Sequence, residues 1–255
     1  MDILSIPTDG IHYNDINYSE CGITILFSVD EKFLRLYSIE ILILCNALKD
    51  IHFHIHTIGD KDKMINLIQD IGNLYKSISD IRKSKNKYLT FSIENIPENI
   101  IDKTTYYSCS RYIHADYFMN VFDNDIYIID ADTVFISSPY LYLNKMNNYD
   151  ISISKISYPK PKVISNYLYF SRTKNSRKFL TLMKNYIQEN IYNETEFLAI
   201  RALEYSLNYI KSNSLDMKIY ELDVKRLDLP SSNYDPSIHL TQNPYKVYLE
   251  TNYQL

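Results

Sequence analysis

Two carboxylates, Asp130 and Asp132, stand one residue apart at the end of an apolar run, within the stretch from Asp123 to Pro139 that reads DNDIYIIDADTVFISSP. Ile126, Tyr127, Ile128 and Ile129 read as a buried strand by their β-branched and aromatic content, and the carboxylates follow where that strand should emerge. Side chains at i and i+2 of extended chain point to the same side. Both carboxylates therefore reach one hard divalent cation, while the small Ala131 between them keeps the backbone close. The natural client of such a cation is a metal-bridged diphosphate. An Asp at a strand exit is also an ordinary turn former, so its surroundings have to decide. A second group is Ile51-His-Phe-His-Ile-His56, where three imidazoles alternate along one strand and share a face. Three imidazoles can hold zinc. Same-face positions on a strand are about 6–7 Å apart, however, which keeps His52 and His56 from converging on one ion, and the stretch reads as a strand with one polar face.

Elements that position the aspartates follow from hydrophobic periodicity. Gly22 to Ser28 reads as a first buried strand, Phe33 to Leu48 as a helix and Ile51 to Ile58 as a second strand, which makes one βαβ unit. Such a crossover is right-handed and builds a parallel sheet whose ligands sit beyond the carboxyl ends of its strands, where Val29-Asp30-Glu31 falls. The alternation continues with a helix over Lys61 to Ser79, a strand at Leu89 to Ile93 and a helix over Tyr106 to Phe122 leading into the aspartate strand. Thr133-Val134-Phe135-Ile136, Ile151 to Ser154 and Tyr167 to Phe170 read as later strands. Asn175 to Asn190 and Glu194 to Ile210 read as helices. The polar, proline-bearing loop from Ser157 to Lys162 is suited to border an acceptor.

Composition narrows the class. A chain of 255 residues suits one α/β domain, with residues 1–20 as a polar leader that packs late or at an edge and residues 230–255 as a closing segment. A formal charge of −4 gives no polyanion-binding field and disfavours a nucleic-acid partner. Cys21, Cys45 and Cys109 are widely spaced, which argues against a disulfide framework and for a reducing cytosol. With no apolar stretch of spanning length, the expectation is a cytoplasmic protein without a transmembrane segment; peripheral attachment to a membrane and oligomeric state stay open. Neither the absence of Trp nor the 25 tyrosines carries a function.

The whole aspartate segment resembles the "LYLDADTLV" element of metal-dependent nucleotide-sugar glycosyltransferases of the GT-A fold, most closely the family 8 glycosyltransferases. Further segments match that family in order. Phe27-Ser28-Val29-Asp30-Glu31-Lys32-Phe33 resembles its nucleotide-binding turn "F-A-x-D-D-x-Y", which implies that Asp30 accepts from a uracil N–H and Phe33 stacks on the base. As an ordinary helix start, the same Asp30 would cap the helix that follows. Arg111 resembles the arginine on the helix ahead of the aspartate strand, whose fork of donors orients a metal-ligand carboxylate or a sugar hydroxyl. Ile164 to Ser171 is similar to "N-x-G-x-x-x-F-N" beside the donor sugar, with Asn166 where Gly is usual and a left-handed turn expected there. Ser237 to Lys246 resembles "I-H-x-x-G-x-x-K-P-W": His239 becomes the third metal ligand and Lys246 neutralises the leaving diphosphate. The Gly is replaced, Lys246 comes one residue late and Pro-Trp is missing. Glu194 and Glu196 occupy the place of the "D-Q-x-x-L-N" helix start, where a carboxylate faces the reacting sugar; acidic residues are also favoured in any first helical turn.

The resemblance thus implies a GT-A, Rossmann-like α/β fold with a mixed sheet flanked by helices. It implies a UDP-sugar donor, Mn2+ or Mg2+ as cofactor and transfer with retention. Asp130, Asp132 and His239 would be the metal ligands. Arg111, Lys246, Glu194 and Glu196 would be the catalytic residues, and Phe27, Ser28, Asp30, Phe33, Ala131 and Asn166 would complete the donor site. The acceptor, whether glycan, lipid-linked sugar, protein or small molecule, is not legible. Two competing readings are a catalytically silent nucleotide-sugar-binding protein, which the altered C-terminal motif favours, and a sugar nucleotidyltransferase, whose usual early Gly-rich loop is missing.

Overall fold

A computed structural model describes residues 11–12, 21–48, 50–82, 88–132, 139–156, 162–193 and 197–223. Its described strands form one sheet. In chain order the elements are β1 (Ile11–His12), β2 (Ile23–Asp30), α1 (Glu31–Ala47), β3 (His52–Ile58), α2 (Lys61–Arg82), β4 (Leu89–Glu94), α3 (Lys103–Phe122), β5 (Asp125–Ile129), α4 (Pro139–Met146), β6 (Ile151–Ile156), β7 (Lys162–Phe170), α5 (Lys174–Asn190), α6 (Leu198–Ser212) and β8 (Ile219–Asp223).

The spatial order is β1-β4-β3-β2-β5-β7-β6-β8. β4, β3, β2 and β5 run parallel, β7 is antiparallel to both β5 and β6, and β8 is parallel to β6. The parallel half forms because β2, β3, β4 and β5 are near-continuous runs of β-branched and aromatic residues, which only a sheet covered on both faces can bury. One face packs under α1, α2 and α4 around Phe27, Ile55, Phe91 and Tyr127; the other packs under α3, α5 and α6 around Leu26, Ile128, Phe118 and Phe179. β2 to β4 progress outward by way of α1 and α2, and α3 then carries the chain back to set β5 on the other side of β2. Strand order reverses between β2 and β5, and in sheets of this kind the crevice beyond the strand ends at that reversal is where ligands bind.

The alternating expectation holds through these elements, with shifts at the ends. α3 begins at Lys103, three residues before the expected Tyr106, because the Asp102 carboxylate caps it, accepting from Thr104 N at 2.9 Å and from the Thr105 hydroxyl at 2.6 Å. β1 sits at one edge of the described sheet, antiparallel to β4. The turn expected at Asn166 is a correction: Asn166 lies inside β7. α6 is a second one, since its described start is Leu198, not Glu194, and its first turn has no acidic residue. No described helix is long and apolar enough to cross a membrane.

Candidate donor site at the strand reversal

β2 ends at Asp30 and β5 delivers Asp130, so the two carboxylates flank the reversal. A cavity of about 280 Å³ opens between them, and Asp30, Asp130, Asp132 and Arg111 all line it. Ser28, Phe33, Ala131 and Ser165 complete much of the wall. Seven residues read from the sequence as donor-site groups, Ser28, Asp30, Phe33, Arg111, Asp130, Ala131 and Asp132, thus converge from β2, α1, α3 and the β5 exit.

Each is held by a local device. Asp30 caps α1, its Oδ1 accepting from Phe33 N at 2.7 Å, and lines the cavity. Phe33 is half-buried, with its ring centroid 5.6 Å from that of Tyr37. Ser28 Oγ is 2.6 Å from Ser110 Oγ, which ties the end of β2 to α3. Arg111 is buried on α3 and donates through Nη1 to Asp130 Oδ1. Burial works to lower the Arg111 pKa, but Asp130, Tyr112 and Cys109 together push it above its ordinary value, so the guanidinium is a fixed cation. Its Nη2 also reaches the Ser165 carbonyl at 3.4 Å, which accepts from the Tyr112 hydroxyl as well. Ser165 lies in the stretch of β7 where its pairing with β6 shifts register, from Ser152 opposite Tyr169 to Ser154 opposite Ile164.

Phe27 is a correction. Strand alternation turns its ring away from Ser28 and Asp30 into the core, where it is 1% exposed and stacks on Phe53. Asn166 is on β7 beside Ser165. His239, Lys246, Glu194, Glu196 and the Thr133–Ile136 strand lie outside the described residues. Tyr107, Ser108 and Thr104, also on the cavity wall, were not read from the sequence. Their shared signal was helical spacing with Arg111, since i, i+3 and i+4 positions lie on one face. Burial, and then Asp30, raise the Tyr107 pKa, so its phenol stays protonated as a donor. A wider cleft of about 630 Å³ adjoins the cavity, sharing Asp30 and Tyr107 and bounded by Arg35, Gly59 and Lys63.

The histidine strand differs from its expected form. Its three rings are on one face, as read, but that face is buried beneath α3 rather than merely polar. His52 lies 4.3 Å edge-on from Phe122, and His54 lies 4.3 Å from Phe118, centroid to centroid. Hydroxyls separate the rings. Thr24 Oγ1 meets His52 Nδ1 at 2.9 Å, and Thr90 Oγ1 meets His52 Nε2 and His54 Nδ1, each at 2.8 Å. Ser92 Oγ then meets His54 Nε2 at 2.9 Å and His56 Nδ1 at 2.7 Å. The ladder ends on Glu94, whose Oε2 is 2.9 Å from His56 Nε2 and whose Oε1 is 3.1 Å from His114 Nε2 and accepts from the Tyr106 hydroxyl at 2.7 Å. Burial would raise the Glu94 pKa, but hydrogen bonds from His114 and His56 bring it down to about 2. Burial lowers the His56 pKa, in spite of Glu94, and keeps that ring neutral.

The two aspartates offer an all-oxygen donor set beside a fixed guanidinium, which suits a hard cation such as Mg2+ or Mn2+ rather than a soft one. Asp130 has its orientation set by Arg111, the support that a ligating carboxylate needs.

No protein-family model and no curated protein matches the sequence. Solved structures with a similar course of chain include galactosyltransferase LgtC in complex with donor and acceptor sugar analogs, with a TM-score of 0.48 at 10% identity over 78% of this chain and 72% of that one. Mouse xyloside xylosyltransferase 1 in its apo form gives 0.46 at 8% identity, covering 78% of this chain and 84% of that one. Glycosyltransferase GlyE of Streptococcus pneumoniae gives 0.44 at 11% identity over 78% of this chain, which spans 44% of the length of GlyE.

Proposed function

We propose that this protein is a glycosyltransferase that takes a sugar from a UDP-sugar donor in a metal-dependent reaction with retention. The observation that carries the reading is the meeting of Asp130, Asp132, Arg111 and Asp30 on one cavity wall at the strand reversal. Asp130 and Asp132 would hold Mn2+ or Mg2+, with His239 as a third ligand. When bound, that cation supplies Lewis-acid neutralisation of the departing diphosphate.

The chain's own groups do the rest. Arg111 fixes the Asp130 carboxylate and brings positive charge to the wall where charge builds on the leaving group. The Asp30 carboxylate accepts from the N–H of the base, and Phe33 offers a ring face to it. Ala131, the small residue between the aspartates, lets the diphosphate approach the backbone. Lys246 is assigned to the leaving diphosphate, and Glu194 or Glu196 to the face of the reacting sugar. The acceptor is met by the variable loops around the cavity.

The test is manganese-dependent hydrolysis of a panel of nucleotide sugars by the intact protein, by Asp132→Ala and by His239→Ala. Hydrolysis of one UDP-sugar, lost in both variants and on chelation, is the expected result, and the anomer released reports stereochemistry. Absence of both turnover and calorimetric nucleotide binding in the presence of Mn2+ overturns the reading.

A further inference from the structure

Glu94 is a buried carboxylate, 2% exposed, and among the described residues its ion-pair partners are two histidines rather than a lysine or arginine. His56, Glu94 and His114 come from β3, β4 and α3, and one ligand atom from each lies within 4.8 Å of the others. Tetrahedral zinc, with bonds of about 2.0–2.1 Å to nitrogen, needs ligand atoms about 3.3 Å apart. His56 Nε2 is 2.9 Å from Glu94 Oε2 and His114 Nε2 is 3.1 Å from Glu94 Oε1, so each imidazole stands within a few tenths of that spacing from one oxygen of the carboxylate, which bridges the two rings. We propose that His56, Glu94 and His114 form a buried site for a zinc-class dication, separate from the aspartate cavity and independent of the transferase reading.

The surrounding groups match what such a site requires. A ligating imidazole has its other nitrogen on an oxygen that fixes the ring, and His56 Nδ1 sits on Ser92 Oγ at 2.7 Å. A ligating carboxylate is itself hydrogen-bonded, and the Tyr106 hydroxyl does this for Glu94. Two imidazoles and one carboxylate favour zinc, cobalt or nickel over the hard cations suited to Asp130 and Asp132. His114 also lines a cleft of about 430 Å³ between α3 and α5.

The hydroxyl ladder makes the two states of the site distinguishable. Each of Thr90 and Ser92 has one proton to give and two ring nitrogens to serve, so it must donate to one histidine and accept from the next. Without metal, ionised Glu94 only accepts. His56 must then donate from Nε2, Ser92 donates to His56 Nδ1, and the same logic carries the Nε2–H tautomer through His54 to His52. Asn124 agrees with this direction, donating through Nδ2 to Thr24 Oγ1 at 3.2 Å. With metal on His56 Nε2, the proton moves to Nδ1 and every hydroxyl on the ladder turns round. Asn124 follows by rotating its amide so that the carbonyl accepts from Thr24. Metal at one end is therefore recorded in the protonation of rings two and four residues away along β3.

The experiment loads the full chain, purified without a metal-affinity tag, with Zn2+ alone or Co2+ alone, dialyses away free ion and counts bound metal. One equivalent should remain in wild type and in Asp130→Asn/Asp132→Ala and be lost in Glu94→Gln, with cobalt giving the visible bands of a tetrahedral site. In 15N-histidine spectra of the wild type, which needs no variant to fold, zinc should move the His56, His54 and His52 protons from Nε2 to Nδ1. Zinc retained by wild type but not by Asp130→Asn/Asp132→Ala would assign the ion to the aspartate cavity and overturn the proposal. Three rings that stay Nε2–H at saturating zinc would overturn it as well, leaving the cluster a hydrogen-bonded brace between β4 and α3.

Discussion

Asp130 and Asp132 read alike in the sequence and differ in their attachments. Asp130 is a quarter exposed and neutralises a guanidinium that is almost wholly buried, so removing it strands the Arg111 charge in the interior. Breaking a buried pair on one side costs about 3–5 kcal/mol, and the solvent that reaches Asp130 puts this case at the low end. Asp130→Ala is therefore expected to lose about 3 kcal/mol in urea unfolding as well as metal-dependent nucleotide binding. Asp132→Ala is expected to lose the binding at a smaller cost in stability. Equal destabilisation by the two would show that Arg111 finds another partner when Asp130 is gone. Arg111→Met isolates the same pair from its other side, removing the charge and leaving Asp130 with solvent access, so its cost should be the smaller of the two.

Among the elements, the second half of the sheet depends on one carboxylate. Asp150, at the start of β6, accepts from the Thr173 hydroxyl at 2.6 Å, from Lys218 N at 2.8 Å and from Asn175 Nδ2 at 3.2 Å, and so joins the approach to α5 with the approach to β8. Burial would raise its pKa, but these three donors and the Lys218 charge bring it below the usual 3.8. A carboxylate depressed by folding adds stability that is full above its unfolded pKa and is lost as pH falls through its folded value. Between pH 6 and pH 3 the urea midpoint of wild type should therefore fall more steeply than that of Asp150→Asn; parallel curves would remove Asp150 from the acid sensitivity. How far the elements were legible follows from similar local facts. β2, β3, β4 and β5 announce themselves because they are buried on both faces, and the Asp30 cap and the Asp130 exit follow from them. α4 and β8 were not read: α4 is a single short helix opened by Pro139, and β8 is a five-residue edge strand with Glu221 and Asp223 in it. Glu194 and Glu196 look like a first helical turn and so place the expected start of α6 too early, whereas its N-cap, Phe197, is left-handed and makes no side-chain cap. Glu94 and His114 are 20 positions apart, and nothing local marks them. Their meeting is a product of β3 pairing with β4 beneath α3, which periodicity alone does not specify.

At the scale of the whole molecule, one sheet has two cores, and each holds a buried thiol. Cys45 on α1 belongs to the face covered by α1, α2 and α4, and Cys109 on α3 belongs to the face covered by α3, α5 and α6. Burial pushes both thiols up to about 12, in spite of hydrogen bonds that pull the other way, so neither supplies thiolate near neutral pH. Cys21 is half-buried just ahead of β2. With a disulfide reagent at pH 8, one thiol per native chain is expected to react quickly, and Cys21→Ser should abolish that phase. The two slow thiols then report how the cores open. β2, β3 and β5 contribute alternate residues to both faces, so loss of one core removes half the burial that holds the shared strands, and the cores should open together. Cys45 and Cys109, compared in Cys21→Ser/Cys109→Ala and Cys21→Ser/Cys45→Ala, should label at one common rate that tracks global unfolding in urea. Faster labelling of Cys45 with no dependence on urea would instead make the α1–α2 layer a separate opening unit, and the end of β2 that carries Asp30 would move with it.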